Sequence, residues 1–173
     1  MDLEDAHMIR LETPGDERPI QAVVEAAFAG PAEGDLVDRL REAGKLTISL
    51  VAEREGEVVG HVAFSAVTLD PEHAGLSGLG LAPVAVVPEH QKSGIGRALI
   101  EAGVEECRER GAGFIVVLGD PAYYSRFGFE TASAFGLGNE YGVNEEFMVL
   151  VLGEEVAFAA GTIVRYAAEF GEV

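Results

Sequence analysis

Residues Leu79 to Ala98 constrain this chain more than any other stretch. They read Leu-Gly-Leu-Ala-Pro-Val-Ala-Val-Val-Pro-Glu-His-Gln-Lys-Ser-Gly-Ile-Gly-Arg-Ala. The apolar, β-branched run Leu81 to Val87 predicts a strand, and Pro88, which cannot donate to a sheet ladder, stops it. A polar turn follows, then Gly94 and Gly96, then helical periodicity from Gly94 to Gly111. Such a junction aims unpaired backbone N–H groups outward at the positive end of a helix dipole, which makes an anion site. Two nucleotide readings fail on detail. A dinucleotide fingerprint needs a third glycine where Leu99 stands, and a phosphate-loop NTPase needs Gly-Lys-Ser/Thr, a triplet absent from the chain.

The segments around this junction alternate between strand and helix patterns. Met8 to Thr13 predicts a short half-buried strand, and Pro14-Gly15-Asp16 a turn with Asp16 as N-cap. Ile20, Val23, Val24, Ala27 and Phe28 recur at helical spacing until Gly30-Pro31. A shorter helix is expected over Asp35 to Ala43, closed by Gly44, with Glu33 and Asp35 in the polar connection before it and within reach of a cation. Leu46 to Glu53 and Glu57 to Leu69 read as a hairpin turning at Arg54-Glu55-Gly56. In the helix from Gly94, Arg97, Glu101, Glu105 and Arg108 mark the solvent side, leaving Leu99, Ala102, Gly103 and Cys107 to pack. Phe114 to Leu118 predicts a buried parallel strand, giving a right-handed strand–helix–strand unit. Asp120 and Pro121 announce a helix of about two turns ending at Gly128. Strands are expected at Glu145 to Leu152 and Gly161 to Ala167, with a helical turn over Glu154 to Ala160.

At 173 residues the chain suits a single domain over residues 1–173. No apolar run approaches the ~20 residues that cross a bilayer. The acidic start Met-Asp-Leu-Glu-Asp is unlike a signal peptide, so a cytoplasmic protein is expected, away from membranes. Its one cysteine, Cys107, excludes an internal disulfide, and its position predicts a buried packing thiol. His7, His61, His73 and His90 lack metal-ligand spacing, so no metal is expected. A net charge of −18 disfavours nucleic acid and favours cationic small molecules as diffusing substrates. An anionic cofactor then needs a local positive site, which the loop from Lys92 to Arg97 supplies.

Two motifs together carry a resemblance. Gln91-Lys92-Ser93-Gly94-Ile95-Gly96 resembles the acyl-CoA signature Gln/Arg-x-x-Gly-x-Gly/Ala of the GCN5-related N-acetyltransferase (GNAT) superfamily. Tyr123-Tyr124-Ser125-Arg126-Phe127-Gly128-Phe129 is similar to the Phe/Tyr-Tyr-x-x-x-Gly-Phe motif of that superfamily, and the longer run from Gly119 resembles a branch of bacterial members. The order of elements matches over essentially the whole chain. The resemblance implies an α/β chain of mixed α+β type, with a central mixed β-sheet flanked by helices. It implies that the backbone of Ala85, Val86 and Val87 pairs with the pantetheine arm of acetyl-CoA. The N–H groups of Gln91, Lys92, Ser93, Gly94, Ile95, Gly96 and Arg97 would hold the pyrophosphate. Tyr124 would lie near the thioester sulfur, with Tyr123 beside it as a cofactor contact or as the alternative for that role. Asp120-Pro121 stands where many members carry an asparagine that contacts the cofactor arm.

The implied reaction is transfer of an acetyl group to a primary amine of a small, cationic acceptor by direct attack. A thiolate leaving group of pKa about 8.5 can be protonated by a tyrosine of pKa about 10. A backbone N–H at the end of the Leu81 to Val87 strand suits the developing oxyanion. Glu33, His61, Glu89 and His90 are candidate bases, and no motif selects among them. Arg126 is either a phosphate contact or a solvated charge. A homodimer is compatible with the sequence. The alternatives are a catalytically silent acyl-CoA-binding or sensor domain on the same fold, and a plain nucleotide-binding α/β module, which needs a fully parallel sheet.

Overall fold

The structure, a computed structural model, describes residues 7–153 and 156–172. Strand β1 (Met8–Leu11) is followed by helices α1 (Glu17–Phe28) and α2 (Ala32–Glu42). Three long strands come next: β2 (Leu46–Arg54), β3 (Glu57–Asp70) and β4 (Gly78–Val86). Helix α3 (Ile95–Glu109) leads to β5 (Phe114–Leu118) and the short α4 (Pro121–Tyr124), which tightens into a 3₁₀ turn over Ser125–Phe127. The chain ends with β6 (Glu130–Thr131), β7 (Leu137–Asn139), β8 (Phe147–Val151), β9 (Thr162–Arg165) and a 3₁₀ turn over Ala168–Glu172.

The main sheet runs β1-β2-β3-β4-β5-β8-β6. Its β4–β5 pair is parallel and its other pairs are antiparallel, so the sheet is mixed, as expected, and the plain parallel nucleotide-binding module is excluded. The far end of β3 leaves this sheet and pairs with β9 through Thr68–Asp70. The β2–β3 hairpin turns on Glu55 and Gly56, both at positive φ, which matches the right-handed twist of the flanking strands.

Side-chain alternation sorts the packing into two layers. Leu50 and Ala52 of β2 pack with Leu99, Ile100 and Cys107 of α3, while Val51 between them packs with Ile20, Val23, Val24 and Val37 of α1 and α2. Helix α3 therefore covers one face and the α1–α2 pair the other. Its exposed stripe of Arg97, Glu101, Glu105 and Arg108 falls where the spacing puts it, and Cys107 is fully buried with its thiol pushed up to about 12 by that burial. Among the described residues, no helix is long and apolar enough to cross a membrane.

Several local expectations change. Helix α2 starts at Ala32, so Glu33 and Asp35 sit in its first turn rather than in a connecting loop. Asp16 stands at the N-cap of α1 without capping it by its side chain. Its carboxylate instead accepts hydrogen bonds from Thr13 N (2.7 Å) and from Arg10 (2.7 and 3.1 Å), and the guanidinium holds its pKa far below the usual range. Strand β4 begins at Gly78, three residues before the predicted start, and the two-residue β6 and three-residue β7 went unpredicted. Of the turn expected over Glu154 to Ala160, the first two residues lie outside the described ones, and the rest is not helical.

One irregularity positions the site. Between β3 and β4 the register goes from Val62↔Val84 to Phe64↔Leu81, so β4 carries one extra residue in the Ala82–Pro83 segment. That bulge bends β4. On its other side β4 pairs with β5 only from Gly78 to Gly80, and beyond that point the two strands part. The second half of β4 thus has an open edge in the middle of the sheet.

Candidate active site

The open edge is lined on both sides. Toward α3 a cavity of about 700 Å³ is walled by Val84, Ala85, Val86, His90, Gln91, Lys92, Gly94, Gly96, Arg97, Tyr123 and Arg126. Toward α1 and α2 a cavity of about 400 Å³ is walled chiefly by Phe28, Glu33, Leu36, Leu81, Leu118 and Phe170, with Tyr124 and Pro83. Val84 belongs to both walls.

Backbone alternation decides which groups face the gap. Val87 N–H donates to Val59 O (2.9 Å) on β3, and Val87 O accepts from His90 N (2.9 Å). Antiparallel pairing makes every second residue face the same neighbour, so Ala85 also turns toward β3, while Val84 and Val86 present N–H and C=O to the open side. Val86 O accepts from Gln91 Nε2 (3.0 Å). Of Ala85, Val86 and Val87, only Val86 is therefore placed to pair with an added strand. Its companion is Val84, which the sequence reading passed over, and Val87 is fully engaged within the sheet. Pro83 inside a strand pattern was the available signal, because a proline there marks a bulge.

The glycine loop has the expected anion geometry, with one exception. Gln91 N–H is engaged by Pro88 O (3.3 Å). Beyond it the first backbone bond of the helix is Ala98 N to Gly94 O (3.0 Å), so the N–H groups leading up to Ala98 form the orphan set of a helix start. Lys92 and Gly94 take positive φ (63° and 89°), which turns successive N–H groups into a concave cradle. The Ser93 hydroxyl donates to His90 O and braces the turn. Tyr123 packs beside Gly96, its hydroxyl at ordinary contact distance (3.6 Å) from where a Cβ would stand.

The paired tyrosines divide between the cavities. Their rings meet edge-to-face at 5.0 Å. Asp120 Oδ1 accepts from Ala122 N (3.0 Å) and Pro121 opens α4, so the predicted helix start fixes both rings. Tyr123 faces the glycine loop, with the Arg126 guanidinium 5.6 Å from its ring centre. Arg126 thus lines the larger cavity, and Arg97 does so while paired with Glu101 (2.8 Å) on the surface. Tyr124 is buried against Phe127 and Phe129 and reaches the smaller cavity. Burial pushes its phenol up to about 12, with Tyr123 adding to the rise. It consequently stays protonated across the neutral range.

Of the candidate bases, Glu33 alone lines the smaller cavity. Asp35 lies outside it, accepting a 3.4 Å bond from Gln21. His90 borders the loop end of the larger cavity, with its Nδ1 3.2 Å from Arg54 Nη1. Glu89, on the turn beside it, lines neither cavity. His61 is fully buried in β3, its Nε2 2.8 Å from Ser49 Oγ, and burial, with nearby Arg41, drives its pKa down to about 3. It is a neutral interior residue that lines neither cavity. Among the described residues no cluster of His, Cys, Asp and Glu could hold a metal ion.

A strand splayed from its parallel neighbour, a helix start facing the gap and a buried tyrosine across it define a site for acyl transfer. The comparisons agree. An acetyltransferase (GNAT) domain model matches residues 8–132. The N-acetyltransferase YhbS of Escherichia coli strain K12, itself uncharacterised, is 39% identical over 165 residues, covering 94% of this chain and 98% of its own. A crystal structure of YhbS in complex with CoA superposes with a TM-score of 0.85 at 38% identity, covering 95% of this chain and 92% of that one. A GNAT family acetyltransferase from Brucella melitensis, solved in complex with acetyl-CoA, gives 0.80 at 40% identity, covering 96% and 99%. The chain belongs to the GNAT family and is an N-acetyltransferase.

Proposed function

We propose that this enzyme takes acetyl-CoA in the larger cavity and transfers the acetyl group directly to a primary amine of a small, cationic acceptor in the smaller one, acting in the cytoplasm. The observation that carries this reading is the junction at Val84, where the two cavities meet beside Tyr124. The residues present suit the cofactor. Val84 and Val86 offer an open strand edge to an amide-bearing arm, and the loop N–H groups with Lys92 and Arg126 suit a pyrophosphate. The bound relatives YhbS and the Brucella enzyme support the same choice. A lone buried thiol fits a reducing compartment.

Acetyl-CoA supplies an activated thioester carbonyl. The chain supplies the rest. The Val84 N–H, aimed at the gap, can donate to the carbonyl oxygen as charge builds on it. Glu33 pairs with the incoming ammonium and, directly or through water, takes the proton that must leave before nitrogen can attack. Tyr124 holds its proton at neutral pH and gives it to the departing sulfur. The negative net charge draws cations toward the molecule.

Calorimetry separates this reading from nucleotide binding: acetyl-CoA should bind, and ATP and NAD should not. Tyr124→Phe should lower kcat by about 10²- to 10⁴-fold with the KM for acetyl-CoA nearly unchanged. Unchanged turnover in that variant removes Tyr124 as the acid.

A further inference from the structure

We propose that the acceptor is a primary amine with one positive charge on an apolar alkyl or aralkyl body. This rests on the acetyl-transfer reading and deepens it. The cavity beyond Val84 holds about 400 Å³, near the small end of the range for small-molecule sites. Phe28, Leu36, Leu81, Pro83, Leu118 and Phe170 make up most of its wall. Phe28 and Leu118 are 42% and 38% exposed, large apolar side chains left open to water at a binding site. An apolar body laid on them removes that surface from water.

The polar groups in the same wall are few and specific. Glu33 is the one charged side chain among the described lining residues, and Tyr124 supplies a hydroxyl. One carboxylate matches one ammonium. A second ammonium, as in a polyamine, finds no second carboxylate there. A substrate carboxylate, as in an amino acid, meets Glu33 and no cation. A hydroxyl-rich amino sugar would leave its hydroxyls against aliphatic and aromatic walls without partners. The larger cavity makes the contrast: Lys92, Arg97, Arg126, His90 and Gln91 all line it.

In the reaction the ammonium gives one proton to Glu33 before attack. The nitrogen–carbon bond forms as the carbon–sulfur bond breaks, and the sulfur leaves as the thiol with the proton from Tyr124. The second proton, shed by the nitrogen after attack, restores the phenol. The product is a neutral amide, which no longer pairs with Glu33. Loss of that pairing favours release.

The test is a free-thiol assay with saturating acetyl-CoA and a panel of amines. For propylamine to hexylamine, kcat/KM should climb about fourfold per methylene until the cavity is full. 2-Phenylethylamine should exceed ethanolamine and putrescine at least 100-fold. Leu118→Asp, on a half-exposed side chain and so tolerated by the fold, should raise the KM for 2-phenylethylamine at least 10-fold while leaving that for acetyl-CoA alone. A flat alkyl series, a preference for putrescine or ethanolamine, or an indifferent Leu118→Asp overturns the proposal and leaves acetyl transfer standing. Should no amine be acetylated, calorimetry with 2-phenylethylamine on the CoA-loaded protein decides. Binding that Leu118→Asp abolishes supports the apolar site and counts against the proposed reaction; absence of binding overturns the site as well.

Discussion

Gly119→Ala tests whether the geometry of Tyr124 matters for chemistry. Gly119 lies in the turn between β5 and α4, and its φ is not in the left-handed region, so alanine meets no backbone strain. The space is the difficulty. A Cβ at 119 would stand 2.3 Å from Tyr124 Cε2 and 2.9 Å from Cδ2. Restoring ordinary contact near 3.4 Å requires the ring to move by about 1 Å, into Phe129 at 5.8 Å and Tyr123 at 5.0 Å between ring centres. Overpacking of this kind costs about 1–3 kcal/mol of stability. A displacement of about 1 Å at a reacting group costs roughly 100-fold in rate, equivalent to about 2.7 kcal/mol of barrier. Gly119→Ala should therefore lower kcat about 100-fold while the KM for acetyl-CoA, set by the loop across the gap, changes little. Steady-state kinetics in a double-mutant cycle with Tyr124→Phe isolates the cause. With the hydroxyl already gone, alanine at 119 should cost no more than about threefold in kcat, although the ring clash and its thermal destabilisation persist. An equal kcat penalty in both backgrounds would refute the reasoning, because the effect would not run through the phenol.

Two further outcomes follow from groups away from the chemistry. His61 is held neutral with a folded pKa of about 3 against 6.5 in the open chain, so between those values the unfolded state binds a proton that the folded state refuses. Stability should then fall on acidification below about pH 6, by about 1.4 kcal/mol per pH unit from this group; urea midpoints at pH 7, 6 and 5 should show a shallower fall for His61→Gln, and identical slopes would be evidence against it. Lys45 Nζ pairs with Glu169 Oε1 (2.5 Å) and ties down the C-terminal turn that carries Phe170. Lys45→Met should raise the amine KM two- to threefold (about what a surface tether contributes) with the acetyl-CoA KM and the thermal midpoint nearly unchanged; parallel changes in both KM values would contradict it.

The glycine loop and the tyrosine turn that line the larger cavity were legible because each is local. Pro88, Gly94 and Gly96 lie within nine residues of one another, and Asp120, Pro121 and Gly128 bracket the tyrosines, so turn chemistry alone places them. The amphipathic stripe of α3 was legible for the same reason. The acceptor half was not. Phe28 and Leu36 lie on consecutive helices, but Leu118 and Phe170 come from distant segments, and only the tertiary fold gathers all four. The base candidates could not be sorted either. His61 lies in a run of β3 that is buried from Val59 to Ser65, covered on both faces, so alternation carries no clue to where a given side chain points. The choice of Val84 over Ala85 and Val87 needed the β4 register, which a one-residue bulge resets without changing the apolar character of the run.

On the proposed reading, an acidic protein takes an anionic cofactor and a cationic acceptor side by side, and the open edge of β4 gives them separate places. The two ligands would compete for the same field if they shared one pocket. Parting β4 from β5 creates two cavities that touch only at the open edge, and their charges have opposite sign. Lys92, Arg97, Arg126 and the start of α3 face one, and Glu33 the other. Arg97 is partly offset by Glu101, which leaves the backbone N–H groups and Lys92 as the cradle's own positive elements. A cationic acceptor and an anionic cofactor would each be attracted to its own cavity and repelled from the other. On that reading the reacting atoms would meet where neither charge dominates, against the Val84 backbone and a phenol that burial keeps protonated. The charge that organises binding would thus be kept apart from the low-polarity place where the bond is exchanged, along the edge that the bulged β4 leaves open once it parts from β5.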